Sequence, residues 1–278
     1  NSKAMRTYFL RALALLCLAC SIGDRAAAQC SSENSAFKSG ETLVYDLHFN
    51  WKFVWFKVGT ATFNITQSVY GKQAAYRTTL TTRTSGTADK YFTMRDRLTS
   101  YTSLDLIPLY YEKDAFEGKT KRVEKVWYTY PDNQVALKMF YQRDKQPAEW
   151  HNHKGKYCAY DMLSMLLRAR SFDGSKMKVG ERINFVMAEG KHAEWRSLIY
   201  RGKKNFKLDN RTLTYRCLVF SYLEKEGGKE KEIVTFYVTD DKNHLPVRID
   251  MNLNFGTAKA YLTGSTGVRN PQTSIIKK

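Results

Sequence analysis

Proline and cysteine are both scarce, at five each in 278 residues. Few prolines exclude the extended proline-rich segments of linkers and low-complexity chains, and few cysteines exclude a small domain stapled by many disulfides. No stretch reaches the roughly 20 consecutive apolar residues that crossing about 30 Å of hydrocarbon requires. Catalytic signatures are missing too. Residues 29–278 hold no Gly-x-Ser-x-Gly elbow, no His-Glu-x-x-His helix, no Cys-x-x-Cys pair and neither glycine-rich phosphate loop. Acidic residues are the last shortage, 27 against 45 Lys and Arg, for a net charge of +18.

What is abundant is aromatic. Eighteen Tyr, fifteen Phe and five Trp sit in a chain that is 43% hydrophobic, a composition of folded proteins that leans towards sheet, where flat and β-branched side chains pack on a pleated surface.

The N-terminus reads as a secretory signal. Met5 is the expected start, with residues 1–4 a leader ahead of it. Arg6 and Arg11 supply the basic region, Ala12 to Ile22 the apolar run, and Ala26, Ala27 and Ala28 a small-residue cleavage site, so the mature chain is expected to begin at Gln29. An alternative reading is a lipid-anchored protein, because Cys20 follows Leu18 and Ala19 at the end of the apolar run; Cys17, where leucine usually stands, weighs against it. Removing residues 1–28 leaves 41 basic against 26 acidic residues, still +15. Export removes nucleic acid as the partner of that charge, leaving anionic lipid, glycolipid and acidic glycan, with peripheral membrane contact, or simply a soluble basic surface.

Residues 29–39 are polar and expected to be flexible. From Gly40 the pattern alternates: Leu43, Tyr45, Leu47, Phe49 and Trp51 interleave with Val44, Asp46, His48 and Asn50, as a half-buried strand does. Further strands are expected at 54–56 with 59–65, then 75–84, 96–103, 107–114, 120–130 and 134–142. After residue 180 they resume at 181–188, 193–202, 211–223, 232–239, 246–254 and 257–264. Pro131, Asp132 and Asn133 read as a hairpin turn, and such short links make neighbouring strands antiparallel. Asp161 is an N-cap before Met162, Leu163, Met165, Leu166 and Leu167, which predicts one short helix near residues 161–170. The expected fold is therefore all-β and mostly antiparallel: a large curved meander sheet, sandwich or open barrel, in one domain over residues 40–264. The polar tail 265–278 is expected to fray.

Candidate chemistry is thin. His151, His153 and Cys158 are the only cluster of metal-ligand types, in a turn-like His-Asn-His segment, and the second ligand pair typical of zinc is absent. Ser164 has no histidine nearby in the sequence, Asp240 and Asp241 sit in a turn, and Asp89, Asp96 and Asp105 are scattered. Basic groups at Lys119, Lys121, Arg122 and Lys125 with Tyr128 and Tyr130, and at Arg201, Lys203, Lys204 and Lys207, could meet an anionic group or be solvated hairpin surface. Of Cys30, Cys158 and Cys217, the expected disulfide is Cys158–Cys217. No catalytic, metal or cofactor residue is assigned.

Several segments together resemble the bacterial exported proteins of domain-of-unknown-function family 3108. They are Gly40, Glu41, Tyr45 and Asp46; Val58, Gly59 and Ala61; Arg95, Asp96 and Arg97; Pro108; Tyr160, Asp161 and Ser164; Leu245, Pro246 and Arg248; and Phe255 with Gly256. The resemblance implies an exported, periplasmic β-rich protein of unassigned activity with a YmcC-like fold, and brings no catalytic residues with it. The leading expectation is a non-enzymatic carrier of a lipid, glycolipid or other amphipathic ligand. The alternatives are a surface scaffold in envelope polysaccharide or outer-membrane assembly and, ranked last, a glycan or ester hydrolase.

Overall fold

A computed structural model describes residues 29–51, 54–208, 213–253 and 256–276; the expected signal segment, with Cys17 and Cys20, lies outside the described residues. The chain forms one open, curved sheet of sixteen strands. Its order is β8-β7-β6-β5-β4-β3-β2-β1-β15-β14-β13-β12-β11-β10-β9, with β16 paired to β12. The strands are β1 (Glu41–Trp51), β2 (Val54–Tyr70), β3 (Gln73–Thr84), β4 (Met94–Ser103), β5 (Pro108–Glu117), β6 (Thr120–Thr129), β7 (Val135–Arg143) and β8 (Glu149–Gly155) in the first half. The second half holds β9 (Ala159–Tyr160), β10 (Arg182–Glu189), β11 (His192–Lys207), β12 (Thr214–Glu226), β13 (Lys229–Thr239), β14 (Pro246–Leu253), β15 (Gly256–Thr266) and β16 (Ile275–Ile276). All pairs are antiparallel except β9 with β10, as short hairpin links dictate. Besides the expected helix, α2 (Met162–Arg170), a one-turn helix α1 (Ala88–Tyr91) interrupts the β3–β4 link.

Register carries single faces across the sheet. Glu41, Ile65, Thr78, Ser100, Tyr111, Val126, Met139 and His151 form one row from β1 to β8. α2 lies against this concave face. Its cap, Asp161, accepts from the backbone of Leu163 and Ser164 at 3.0 and 2.9 Å, while Ser164 Oγ accepts from the Asp161 amide at 3.0 Å, a reciprocal cap of the kind worth about 1 kcal/mol. The second carboxylate oxygen accepts from Ser164 Oγ at 2.7 Å, Ser100 Oγ at 3.1 Å and Tyr128 OH at 3.4 Å, tying the helix start to β4 and β6. At the helix end Arg170 grips Glu41 at 2.5 and 3.0 Å and the Asn243 carbonyl, with both side chains inaccessible to water. α2 thus plugs one end of the rolled sheet, where Glu41, the β4–β5 link and the start of β14 meet. The other end, reached by the β1–β2, β3–β4, β5–β6 and β14–β15 tips, has no comparable plug among the described residues and is the open end of the roll.

Glycine sets one close approach. A Cβ on Gly59 would drive into the Arg83 carbonyl of β3, so only glycine lets β2 and β3 pair there. Asp132 and Asn133 adopt φ of 50° and 58° in the expected β6–β7 turn, a backbone region these two residues tolerate best.

Four expectations are corrected. The disulfide joins Cys30 to Cys158, whereas Cys217 is free and buried. Residues 29–39 are not loose, because that bond, the fully buried Ala36 and Phe37, and a 2.8 Å bond from the Ser32 amide to the Asp105 carbonyl fix them. The tail does not fray: Ile275 and Ile276 pair with Tyr215 and Thr214, and the Ser274 amide reaches Asp241 at 3.2 Å. Finally, His151-Asn152-His153 is no turn but the middle of edge strand β8.

Candidate functional site

The second half carries the feature with most chemical meaning. Ile183, Leu198, Tyr222, Val234, Met251, Ala258 and Phe49 stand side by side across seven strands, and Tyr200, Phe220, Phe236, Ile249, Ala260 and Leu47 form the parallel row one step nearer the plug. Every position in both rows is apolar or aromatic. Of the six residues between the rows, Ser221, Thr235, Asp250, Lys259 and His48 are polar and alternate to the other face, and only Ile199 on β11 is apolar. Lower on this face Leu218 sits against Gly174, just after α2, which places the rows on the plugged, concave side. Tyr222, Val234, Met251, Ala258 and Phe49 are only half-buried. An apolar wall that the fold does not finish covering therefore runs from the plug to the open end.

Strand β10 separates this wall from the first half. Val186 and Ala188 join the main core, whereas Phe185 and Met187 pack with Tyr160, Met165 and Leu198 on its other side. Beyond Met187 the lining turns ionisable. Burial, reinforced by Glu117, pushes the Asp96 carboxyl up to about 7, while Lys113 and the Phe116 amide pull the other way. Burial, with Glu124 adding to it, also raises the Glu189 carboxyl, although Glu189 is itself reached by solvent, as a group lining a concavity is. The Tyr222 hydroxyl is pushed well above its usual range by burial and Glu224, against the pull of Arg196. Glu124 accepts from the Gly190 amide at 3.1 Å, and Lys191 bridges to Glu149 at 2.6 Å, joining the β10–β11 turn to β6 and β8. The concavity thus has one apolar wall and one charged wall.

Two recesses stand out, one of them beside the start of the apolar row at Ile183. A cleft of about 1070 Å³ at the plugged end is lined by Ser31 to Asn34, Gln73, Tyr76, Ser103 to Asp105, Tyr130 and Arg269. A recess of about 210 Å³ beside β10 holds Tyr157, Tyr160, Phe172, Phe185 and Trp195, with the Arg168 guanidinium 5.2 Å from the Tyr160 ring. On the outer face an aromatic row crosses the first half. Tyr70, Tyr101, Tyr110, Trp127 and Trp150 follow one another at centroid distances of 5.2 to 6.3 Å.

The residues weighed in the sequence are dispersed. Cys158 is consumed by its disulfide, so it cannot complete a metal set with His151 and His153, and His151 instead lies 3.5 Å from Glu149. Among the described residues no group of three ligand-type side chains could hold a metal ion. Ser164 is spent on the helix cap. Asp89 pairs with Arg95, and Asp240 with Lys203 and Arg216. Of the basic groups, Lys121, Arg122, Lys125 and Arg201 lean on Asp114, Glu117, Glu112 and Glu232, and Tyr128 points inward to Asp161. The two apolar rows went unnoticed as a site because each strand shows its alternation separately and only register aligns them.

A model of the family described as "Protein of unknown function (DUF3108)" matches residues 44–263. Among solved structures, a β-barrel-like protein of domain-of-unknown-function family DUF1849 from Brucella abortus matches with a TM-score of 0.58 at 11% identity, over 84% of this chain and 100% of its own. A Bacteroides fragilis protein with a YmcC-like fold matches at a TM-score of 0.35 and 8% identity, over 84% and 99%. No curated protein matches the sequence.

Proposed function

This chain belongs to the DUF3108 family of proteins of unknown function, and we propose that it is an exported envelope protein that holds a lipid, glycolipid or similar amphipathic molecule against its concave wall without altering it chemically. The observation that carries this reading is the half-buried apolar row from Ile183 to Phe49. Apolar side chains gain roughly 25 cal/mol for each Å² removed from water, so a sheet that leaves nine of thirteen aligned apolar positions only half-buried presents a surface suited to acyl chains. The charged wall around Asp96, Glu189 and Arg196 suits a polar head. The Cys30–Cys158 bond fits an oxidising compartment outside the cytoplasm. A second reading, a surface scaffold for envelope polysaccharide, draws on the outer aromatic row from Tyr70 to Trp150.

The test is native mass spectrometry of protein recovered from the periplasm, followed by organic extraction, on wild type and on Met251→Glu and Val234→Glu. These substitutions place a carboxylate on the half-buried row, Val234 away from the packed clusters and Met251 at the edge of the main core, and unchanged circular dichroism checks the fold of each. Wild type is expected to carry lipid mass that both variants lack. Wild type at its bare polypeptide mass would overturn the carrier reading and turn attention to the outer row.

A further inference from the structure

The open end of the sheet ends in hairpin tips with an uncommon composition. Val54, Trp55 and Phe56 flank the β1–β2 turn, Tyr91 and Phe92 stand on the β3–β4 link, Phe116 closes β5, and Leu253 precedes the β14–β15 turn. All seven are exposed, Phe56 by 53% and Tyr91 by 86%, and they are half of the fourteen large exposed hydrophobics among the described residues. Single exposed apolar residues need no explanation; gathering at one end of the molecule does.

The tips are neighbours, held together by contacts. Lys259 of β15 sits 3.9 Å above the Trp55 ring. The Ser85 amide donates to the Val58 carbonyl at 3.1 Å, joining the β3–β4 link to β2, and the Gly118 amide donates to the Thr93 carbonyl at 2.7 Å, joining it to the β5–β6 turn, where Phe92 lies against Gly118. Charge follows the same rim. Among the described residues, 50–51, 54–57, 85–93, 116–121, 252–253 and 256–259 contain five lysines (57, 90, 119, 121 and 259) and two carboxylates. Lys57 and Lys121 lean on Asp46 and Asp114 outside those tips, while Lys90 and Lys119 stand exposed.

We infer that this rim is a docking surface for an anionic phospholipid bilayer. Aromatic tips of amphipathic character sink to the headgroup level, and lysines beside them reach the lipid phosphates while their stems stay in apolar contact. Projecting points interleaved with lysine suit a fluid interface. A protein partner would be met by a flat patch whose centre is poor in lysine. The inference concerns different residues from the concave wall and stands whether or not that wall carries a ligand.

The test is flotation of the purified protein with vesicles of phosphatidylcholine alone and of phosphatidylcholine mixed with phosphatidylglycerol. Binding is expected only to the anionic vesicles and is expected to weaken as salt screens the lysines. Trp55→Ser with Phe56→Ser should lower the binding constant about tenfold or more, as losing two inserted aromatics does, and Lys119→Ala about fivefold. Val69→Ser removes a residue that is 63% exposed at the opposite end and should change nothing. All these sites are solvent-exposed, and unchanged circular dichroism checks the fold. Wild type that stays free of anionic vesicles overturns the inference. So does a Trp55/Phe56 variant that binds as wild type does, or one whose only change is loss of self-association.

Discussion

Breaking the Cys30–Cys158 bond should cost about a fifth or more of the stability of the protein. The bond closes a loop of 128 residues, and cross-linking so long a loop removes roughly 17 cal/mol/K from the unfolded chain, about 5 kcal/mol at room temperature. Strain or residual structure in the unfolded state lowers that figure, so 3–5 kcal/mol is the expected range (~) against a typical total of about 5–15. Equilibrium urea unfolding of Cys30→Ala/Cys158→Ala measures it; alanine avoids burying a hydroxyl where Cys30 is fully covered. The midpoint should fall and the slope should rise, since the uncrosslinked chain exposes more surface when unfolded. Cys217→Ala serves as the control, because that thiol is free, and burial pushes it up to about 12. A loss below about 1 kcal/mol, well short of what so long a loop predicts, or a Cys158–Cys217 peptide in a non-reducing digest, would refute the reasoning.

Two further outcomes follow from buried charge. Arg170→Met leaves Glu41 buried without its partner and should cost about 3–5 kcal/mol, most of it recovered in Glu41→Met/Arg170→Met, as read by urea unfolding; equal losses in single and double variants would contradict this. For Asp96 the folded carboxyl titrates near 7 and the unfolded one near 4. Between those values the unfolded chain holds fewer protons, so stability falls as pH rises through that window and levels off above it, by up to about 4 kcal/mol. Asp96→Asn should flatten this slope, and parallel pH curves for the two proteins would count against it.

Where a strand has one dry and one wet face, its alternation was readable. β1 to β7 and β10 to β15 were all anticipated, as was α2 with its Asp161 cap. β8 escaped because its inward residues are Glu149, His151 and His153. There Glu149 meets Lys191 and His151, all three partly exposed, and no apolar period marks the strand. The tail escaped for another reason: Ser274, Ile275 and Ile276 are held largely through backbone bonds, which any side chain permits. The Cys30 pairing depends on where a 128-residue excursion returns, and nothing local encodes that.

The residues that carried the family resemblance explain why fold was more legible than function. Glu41 anchors Arg170, Gly59 admits β3, Asp161 and Ser164 cap the plug, and Leu245 is fully buried beside it. All but Gly59 cluster at the closed end, where an unpaired charge or a lost cap would cost several kcal/mol in all. The apolar rows and the aromatic tips make no such specific contacts, and any residue of similar character serves there as well. A family signature built on the first kind of position therefore identifies the rolled sheet and its plug. The chemistry of the open end has to be read from how register gathers interchangeable residues onto one face.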